Sequence, residues 1–254
     1  MQLKKSLGQH FLKDEAILNK IADAIGDLSS FKTVLEIGPG QGALTKYLVK
    51  KKHPNYLAIE LDNRWAAYIP EHFPVLQGKV INEDFLHTDL TKIFEYPTHV
   101  VGNFPYNIST EIIFKVIEHR ATVTKMTGMF QKEVAVRIAS LPGNKEYGVT
   151  SVLTQAYFDC EYLFDVPPQS FDPPPKVMSG ILQLKLKTED FLNCDEKLFK
   201  TIVKKAFGQR RKTLRNSLKD MIQNKEMLSE PFFDLRPERL SVKDFEALTN
   251  RLKS

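Results

Sequence analysis

Cysteine is scarce in this chain: 254 residues include only Cys160 and Cys194. Two such distant thiols form neither a disulfide framework nor a metal-type cluster, which points to a reducing compartment. Long apolar runs are missing too. No stretch of about 18 apolar residues occurs and the amino terminus has no signal-peptide core, so a soluble, cytoplasmic protein is expected. There is no internal repeat and no low-complexity tract. What is present is ordinary globular material, with 42% hydrophobic and 10% aromatic residues, enough for one large domain or a domain with a small appendix. Lysine and arginine exceed the acids by a net charge of +5. That excess suits a polyanionic partner, and composition alone does not separate nucleic acid from a membrane surface.

The first 13 residues, MQLKKSLGQHFLK, form a basic and apolar arm in which Gly8, Gln9, His10, Phe11 and Leu12 would suit a flap over a ligand. From Asp14 the pattern is helical, with Ile17, Ile21 and Ile25 at four-residue spacing and Gly26 as the stop. Thr33 to Ile37 reads as an apolar strand running into Gly38-Pro39-Gly40-Gln41-Gly42. Such a turn between strand and helix brings a ligand close to the backbone and to free N–H groups. Its spacing is not that of a dinucleotide fingerprint, because the third glycine arrives early and a proline intervenes.

A second strand, Tyr56 to Ile59, ends at Glu60, 22 residues beyond Gly38, where an acid can accept hydrogen bonds from both hydroxyls of a ribose. A third, Lys79 to Glu83, ends at Asp84-Phe85. Asp84 could accept from an adenine amino group while Leu61 and Phe85 flank the ring. A fourth apolar run, Thr98 to Gly102, leads into Asn103-Phe104-Pro105-Tyr106, then into a helix whose one face is Ile112, Ile113, Val116 and Ile117 and whose N-cap is expected at Ser109. This tetrapeptide lies where open α/β sheets place their ligands. An amide oxygen, carbonyls freed by a proline turn and an aromatic face together fit an amino-bearing nucleobase.

Further strands are expected at Lys125 to Phe130, Glu161 to Val166 and Val177 to Leu186, with helices over Gln131 to Ala139 and Gly148 to Phe158. Between the last two strands, five prolines at 167, 168, 173, 174 and 175 predict a stiff loop that cannot join a ladder. It either holds Phe171 out to stack on a flipped base or packs that ring beneath itself. After Glu189 the pattern is helical, which sets a boundary near residue 188. Residues 203–219 carry seven cations, Lys204, Lys205, Arg210, Arg211, Lys212, Arg215 and Lys219, and no acid, a density that favours phosphate binding over a merely solvated face. Ser241 and Asp244 form a capping-box start for the last helix.

These motifs in this order resemble the ribosomal RNA adenine N6-dimethyltransferase family over nearly the whole chain. The resemblance is carried by SLGQHFL (6–12), EIGPGQG (36–42), AIELD (58–62), NFPYNIS (103–109), QKEVAVRI (131–138), VPPQSFDPPPKV (166–177) and FGQRRKTLRNSL (207–218). The last string and the proline loop point to the small-subunit (16S) branch, which modifies two adjacent adenosines near the rRNA 3′ end, and away from the macrolide-resistance branch. The resemblance implies an α/β, Rossmann-like class I methyltransferase domain over residues 1–188 and a small, all-helical, basic RNA-contacting domain over 189–254. It implies S-adenosylmethionine as the donor, touched by His10, Leu12, Gly38, Gly40, Glu60, Leu61, Asp84, Phe85 and Asn103. The target adenine would meet Asn103, Phe104, Pro105, Tyr106 and Phe171. Lys204, Lys205, Arg210, Arg211, Lys212 and Arg215 would contact small-subunit rRNA within a pre-30S-type particle, by a monomer without metal or membrane. His10 stands where many members have Asn, and Phe104 where Leu is more usual.

In the mechanism this suggests, Asn103 Oδ1 and the Pro105 carbonyl accept hydrogen bonds from N6, orienting its lone pair at the sulfonium methyl. A nicotinamide oxidoreductase would share the glycine turn and Glu60, but the early third glycine and a fourth-strand loop without hydride chemistry argue against it. A ribosome-assembly factor with a vestigial site is the non-enzymatic alternative.

Overall fold

The computed structural model describes residues 10–189 and 192–253. The expected arm therefore lies outside the described residues up to Gln9. The described residues form two compact units. One comprises the chain up to Ala135 together with Glu161–Leu186, the other Val136–Cys160 together with the residues from Lys187 onward. The last crossing lies beside the boundary expected near residue 188. The crossings after Ala135 and Cys160 had no counterpart in the sequence reading, which kept residues 1–188 together. Segment 136–160 joins the second unit because α6 (Val149–Gln155) packs on α7 (Glu196–Gly208).

The first unit is built on a mixed sheet of seven strands among the described residues. In chain order they are β2 (Thr33–Ile37), β3 (Tyr56–Ile59), β4 (Val80–Ile81), β5 (Thr98–Asn103), β6 (Val123–Gln131), β7 (Phe158–Val166) and β9 (Ser179–Leu186), following β1 (Phe11–Leu12), which stands apart. Their spatial order is β4-β3-β2-β5-β6-β9-β7. Pairing is parallel from β4 through β6, and β9 runs antiparallel to β6. The chain runs outward from β2 to β4, then crosses back to β5 on the other side. The switch point between β2 and β5 opens a crevice at the carboxyl ends of the strands. All five residues of β2 are buried, as befits a strand covered on both faces. This is the Rossmann-like arrangement expected from the sequence.

Helix α1 (Glu15–Ile25) forms as its pattern dictates. Asp14 caps it, accepting from the N–H groups of Ala16 at 3.0 Å and Ile17 at 3.2 Å, worth about 1 kcal/mol. Gly26 ends it at φ 78°, a conformation that glycine adopts without penalty. Leu18, Ile21 and Ile25 enter the core with Val34, Tyr56 and Phe171. Helix α2 (Thr45–Leu48), a four-residue turn, follows the glycines; α3 (Asn63–His72) follows β3 and α4 (Ser109–Glu118) follows β5.

The proline loop departs from expectation. Phe171 and Asp172 form a two-residue strand, β8, antiparallel to Phe11–Leu12, and Ser170 O accepts from Lys13 N–H at 2.8 Å. The prolines flank these residues without including them, so their N–H groups remain available for a short ladder.

α5 (Lys132–Ala139) leads from β6 across the crossing at Ala135. In the second unit α7 packs on α9 (Val242–Lys253) and on the short α8 (Leu214–Ser217). Ser241 and Asp244 cap α9 reciprocally: Asp244 N–H donates to Ser241 Oγ at 3.1 Å and Ser241 N–H to Asp244 Oδ2 at 2.8 Å. Among the described residues no helix is long and apolar enough to cross a membrane.

Candidate functional site

The switch-point crevice is an open cavity of the first unit. Its floor includes Gly38 and Gly40 from the turn after β2, and Glu60 and Leu61 from the end of β3. Asp84 and Phe85 line it beyond β4, Asn103 to Tyr106 beyond β5, and His10 and Leu12 beside β1. Every residue anticipated from the sequence for donor and target therefore faces this one space, except Phe171.

Phe171 is 1% exposed and belongs to the core cluster with Leu12, Leu18 and Ile21. Pairing with β1 draws its ring inward, so of the two orientations left open by the sequence the buried one is adopted. The ring found against Tyr106 is His10, with centroids 6.0 Å apart and planes inclined by 24°. His10 Nδ1 lies 2.8 Å from the carbonyl of Pro173, so the proline loop holds His10 instead of presenting Phe171.

The glycine turn also differs from expectation. Gly40 has φ +52°, and a Cβ there would stand 2.9 Å from the Phe11 ring, so any side chain at this position is strained and displaces that ring. Its N–H, expected to be free, donates to Glu60 Oε2 at 3.0 Å. Gly38 N–H donates to Ile59 O at 2.8 Å and Gly42 N–H to Pro39 O at 2.8 Å. The bare face of Gly38 remains open, since nothing lies within 4 Å of where its Cβ would be. Glu60 Oε1 accepts from Asp62 N–H at 2.9 Å, so each carboxylate oxygen keeps a lone pair for a further donor. Burial pushes the Glu60 carboxyl above the usual range, while the N–H groups of Asp62 and Gly40 favour the charged form.

Asp84 heads a tight turn. Its Oδ1 accepts from Leu86 N–H at 2.9 Å and its Oδ2 lies 2.9 Å from His87 Nδ1. At the end of β5, Asn103 Nδ2 donates to the carbonyl of His10 at 3.3 Å. That assigns the amide and leaves Oδ1 as an acceptor. Among the described residues the Pro105 carbonyl receives a single long bond, from Ile108 N–H at 3.3 Å. Tyr106 shares a hydrogen bond between its phenol and the Ser179 hydroxyl, and burial raises its pKa. Ser109 does not cap α4. It is the first residue of the helix, and its hydroxyl donates to Tyr106 O at 3.1 Å.

Two features escaped the sequence reading. Glu36, an acid inside an otherwise apolar strand, lines the cavity at 1% exposure. It accepts hydrogen bonds from the Tyr56 hydroxyl and from Thr45 Oγ1, and burial raises its pKa to about 7. The signal was the charge itself, since an acid in a buried strand must find partners. The second feature is a glycine pair. Gly102 and Gly128 oppose each other across β5 and β6, and the Phe104 ring lies over both. A Cβ on Gly128 would stand 2.0 Å from Phe104 Cε2, and one on Gly102 2.9 Å from Cε1. Glycines inside strand patterns signal such close approaches.

Of the basic run in the second unit, Lys204, Arg211, Lys212 and Lys219 are exposed. Arg210 is engaged internally, donating to the Lys145 carbonyl at 2.5 Å. Arg215 pairs with Asp234 at 2.8 Å and Lys205 lies 3.8 Å from Asp220. Among the described residues no group of three metal-ligating side chains is gathered.

A sequence profile of the family described as "Ribosomal RNA adenine dimethylase" matches residues 1–240. The chain is 49% identical to the ribosomal RNA small subunit methyltransferase A of Cytophaga hutchinsonii, over 99% of this chain and 98% of that protein. It is 50% identical to the protein of the same name from Parabacteroides distasonis, over 97% and 92% of the two chains. Among solved structures it is similar to a dimethyladenosine transferase from Plasmodium falciparum, with a TM-score of 0.79, 27% identity and 96% and 98% of the two chains covered. It also resembles the 23S rRNA methyltransferase ErmE, with a TM-score of 0.70, 25% identity and 94% and 99% covered.

Proposed function

The chain belongs to the ribosomal RNA adenine dimethylase family, and from that premise we propose that it dimethylates N6 of two adjacent adenosines near the 3′ end of small-subunit (16S) rRNA, using S-adenosylmethionine. The observation that carries this reading is the convergence of Gly38, Glu60, Asp84 and the Asn103–Tyr106 loop on one cavity.

The residues present suit the donor. The side-chain-free face of Gly38 admits close approach, the spare lone pairs of Glu60 suit ribose hydroxyls, and Asp84 with Leu61 and Phe85 suits an aminopurine. Bound there, S-adenosylmethionine supplies an electrophilic methyl group. The chain's own part is to hold the acceptor amine. N6 of adenine is a poor nucleophile because its lone pair is conjugated into the ring. Asn103 Oδ1 and the Pro105 carbonyl accept its two N–H bonds, turn the lone pair out of conjugation and stabilise the positive charge that grows during attack. The face of Tyr106 supplies a stacking platform, worth about 1–3 kcal/mol per base. Monomethyladenine keeps one N–H, so the same acceptors serve a second transfer. Phe171 has no place in this scheme as a stacking surface.

The exposed cations Lys204, Arg211 and Lys212 suit rRNA phosphates, and an assembling small subunit in the cytoplasm is the particle that such a monomeric enzyme would meet. The test is mass spectrometry of rRNA nucleosides and of nuclease fragments from the 3′ end after incubating undermethylated small subunits with the protein and S-adenosylmethionine. Dimethyladenosine at two neighbouring positions near the 3′ end is expected; its absence from an otherwise competent mixture would overturn the proposal.

A further inference from the structure

Lys115 takes no part in the scheme above and does not line the cavity, yet its ammonium ties two cavity walls together. It lies on α4, the helix that begins at Ser109 directly after the Asn103–Ile108 segment. Nζ donates to the carbonyl of Phe85 at 2.6 Å and to that of Thr88 at 2.7 Å, and it stands 5.3 Å from the centroid of the Phe85 ring. Both carbonyls belong to the turn that Asp84 heads. The other end of that turn is closed on Asp84 itself, whose carbonyl accepts from the N–H groups of His87 and Thr88, each at 2.9 Å, and from Thr88 Oγ1 at 2.8 Å. One charged donor thus gathers the outgoing carbonyls of a turn whose first two side chains face the cavity. Charge-assisted bonds of this kind are short and directional.

The electrostatic setting agrees with a tie under partial desolvation. Burial lowers the pKa of Lys115, and the carboxylates of Asp84, Glu118 and Asp89 act the other way.

We infer that Lys115 is a positioning residue for the methyl donor: by bridging the Phe85 and Thr88 carbonyls it fixes Asp84 and Phe85 against the donor's purine and makes selection of a 6-amino purine depend on the helix that follows the target loop. The inference rests on the proposal that Asp84 and Phe85 hold that purine. Without the ammonium, the turn keeps its closure on Asp84 but loses its anchor to α4.

The test compares the wild type with Lys115→Met and Lys115→Arg in calorimetric titrations with two ligands, S-adenosylhomocysteine and S-inosylhomocysteine, which differ at the purine 6-position. Lys115→Met is expected to weaken S-adenosylhomocysteine about tenfold, as loss of charge-assisted bonds implies. S-inosylhomocysteine should weaken much less, so the preference for the amino purine shrinks. The donor KM should rise with kcat nearly unchanged, while Lys115→Arg, which keeps charge and donors, should retain the wild-type preference. Unchanged affinity and preference in Lys115→Met, or equal weakening of both ligands, would overturn the inference. Lys115→Gln is read by the same criteria should the Met variant not fold. Failure of the wild type to bind S-adenosylhomocysteine would instead strike the donor reading itself, and the inference would fall with it.

Discussion

Asn103 Nδ2 donates to the main-chain carbonyl of His10 at 3.3 Å, joining residues 93 positions apart in sequence. The bond uses one amide N–H on the wall beside β1 and leaves Oδ1 as an acceptor, the group that the proposed reaction requires. Asn103→Ala is therefore expected to lower methyl transfer by about 10²–10³-fold or more, the usual cost of deleting a preorganised polar group. Donor affinity should stay within about threefold, because Glu60 and the glycine turn are untouched. Single-turnover kinetics beside calorimetry separates the two, and near-normal turnover would contradict the assigned role.

The Phe104 ring rests on a patch without side chains, formed by Gly102 and Gly128 in register. Gly128→Ala should push the ring, and with it the Asn103–Tyr106 loop, out of place. Overpacking of this kind costs about 1–3 kcal/mol of stability, and transfer should fall at least tenfold, or about 1.4 kcal/mol in barrier. Adding Phe104→Leu should recover part of both losses. A double-mutant cycle that showed simple additivity would argue against direct contact between the two positions.

Glu36 gives the fold a pH signature. Its pKa is raised to about 7 by burial, so between about pH 4.5 and 7 the folded chain binds more protons than the unfolded one. The contribution of this group is accordingly full below about 4.5 and lost as pH rises through about 7, a change of at most about 3 kcal/mol. Glu36→Gln should remove that component. The drop in Tm of the wild type between pH 5 and pH 8 should become smaller in the variant, whatever other groups contribute to both. Equal drops in the two proteins would exclude a proton on Glu36.

The cations of the second unit should divide into two kinds. Arg211→Ala and Lys212→Ala, at exposed positions, should each reduce the slope of log affinity against log salt by about one for binding to small-subunit rRNA. Arg210→Ala and Arg215→Ala remove internal contacts to the Lys145 carbonyl and to Asp234, and should lower Tm as well. Nitrocellulose filter binding over a salt series, with thermal unfolding in parallel, tests the division.

What the sequence disclosed and what it hid follow one distinction. The cap at Asp14, the stop at Gly26, the apolar strands and the acid at the end of β3 are written locally, in turn chemistry and periodicity. So is the strand-to-helix loop at Asn103. Phe171 and the glycine turn depended on distant partners instead. Phe171 is drawn inward because Phe11–Leu12 offers a ladder, and the Gly40 N–H is taken because Glu60 reaches back across 20 residues. Segment 136–160 falls in the second unit for a similar reason, since its fate is set by α7, which begins at Glu196. Ser109 failed as a cap because the helix starts on it, with Ile108 in the cap position and the serine hydroxyl turned back to Tyr106 O.

The ribbon that pairs Phe11–Leu12 with Phe171–Asp172 has a consequence for how the protein is made. The crevice between β2 and β5 is encoded before residue 104, and the Asn103 amide holds the His10 carbonyl, but the ladder partner of β1 and the acceptor at His10 Nδ1 come from residues 170–173. A nascent chain that has emerged as far as β6 holds the strands that flank the crevice but lacks the partner of β1. The early segment gains its ladder only once residues 171–172 have been made, a long-range closure that comes late in folding.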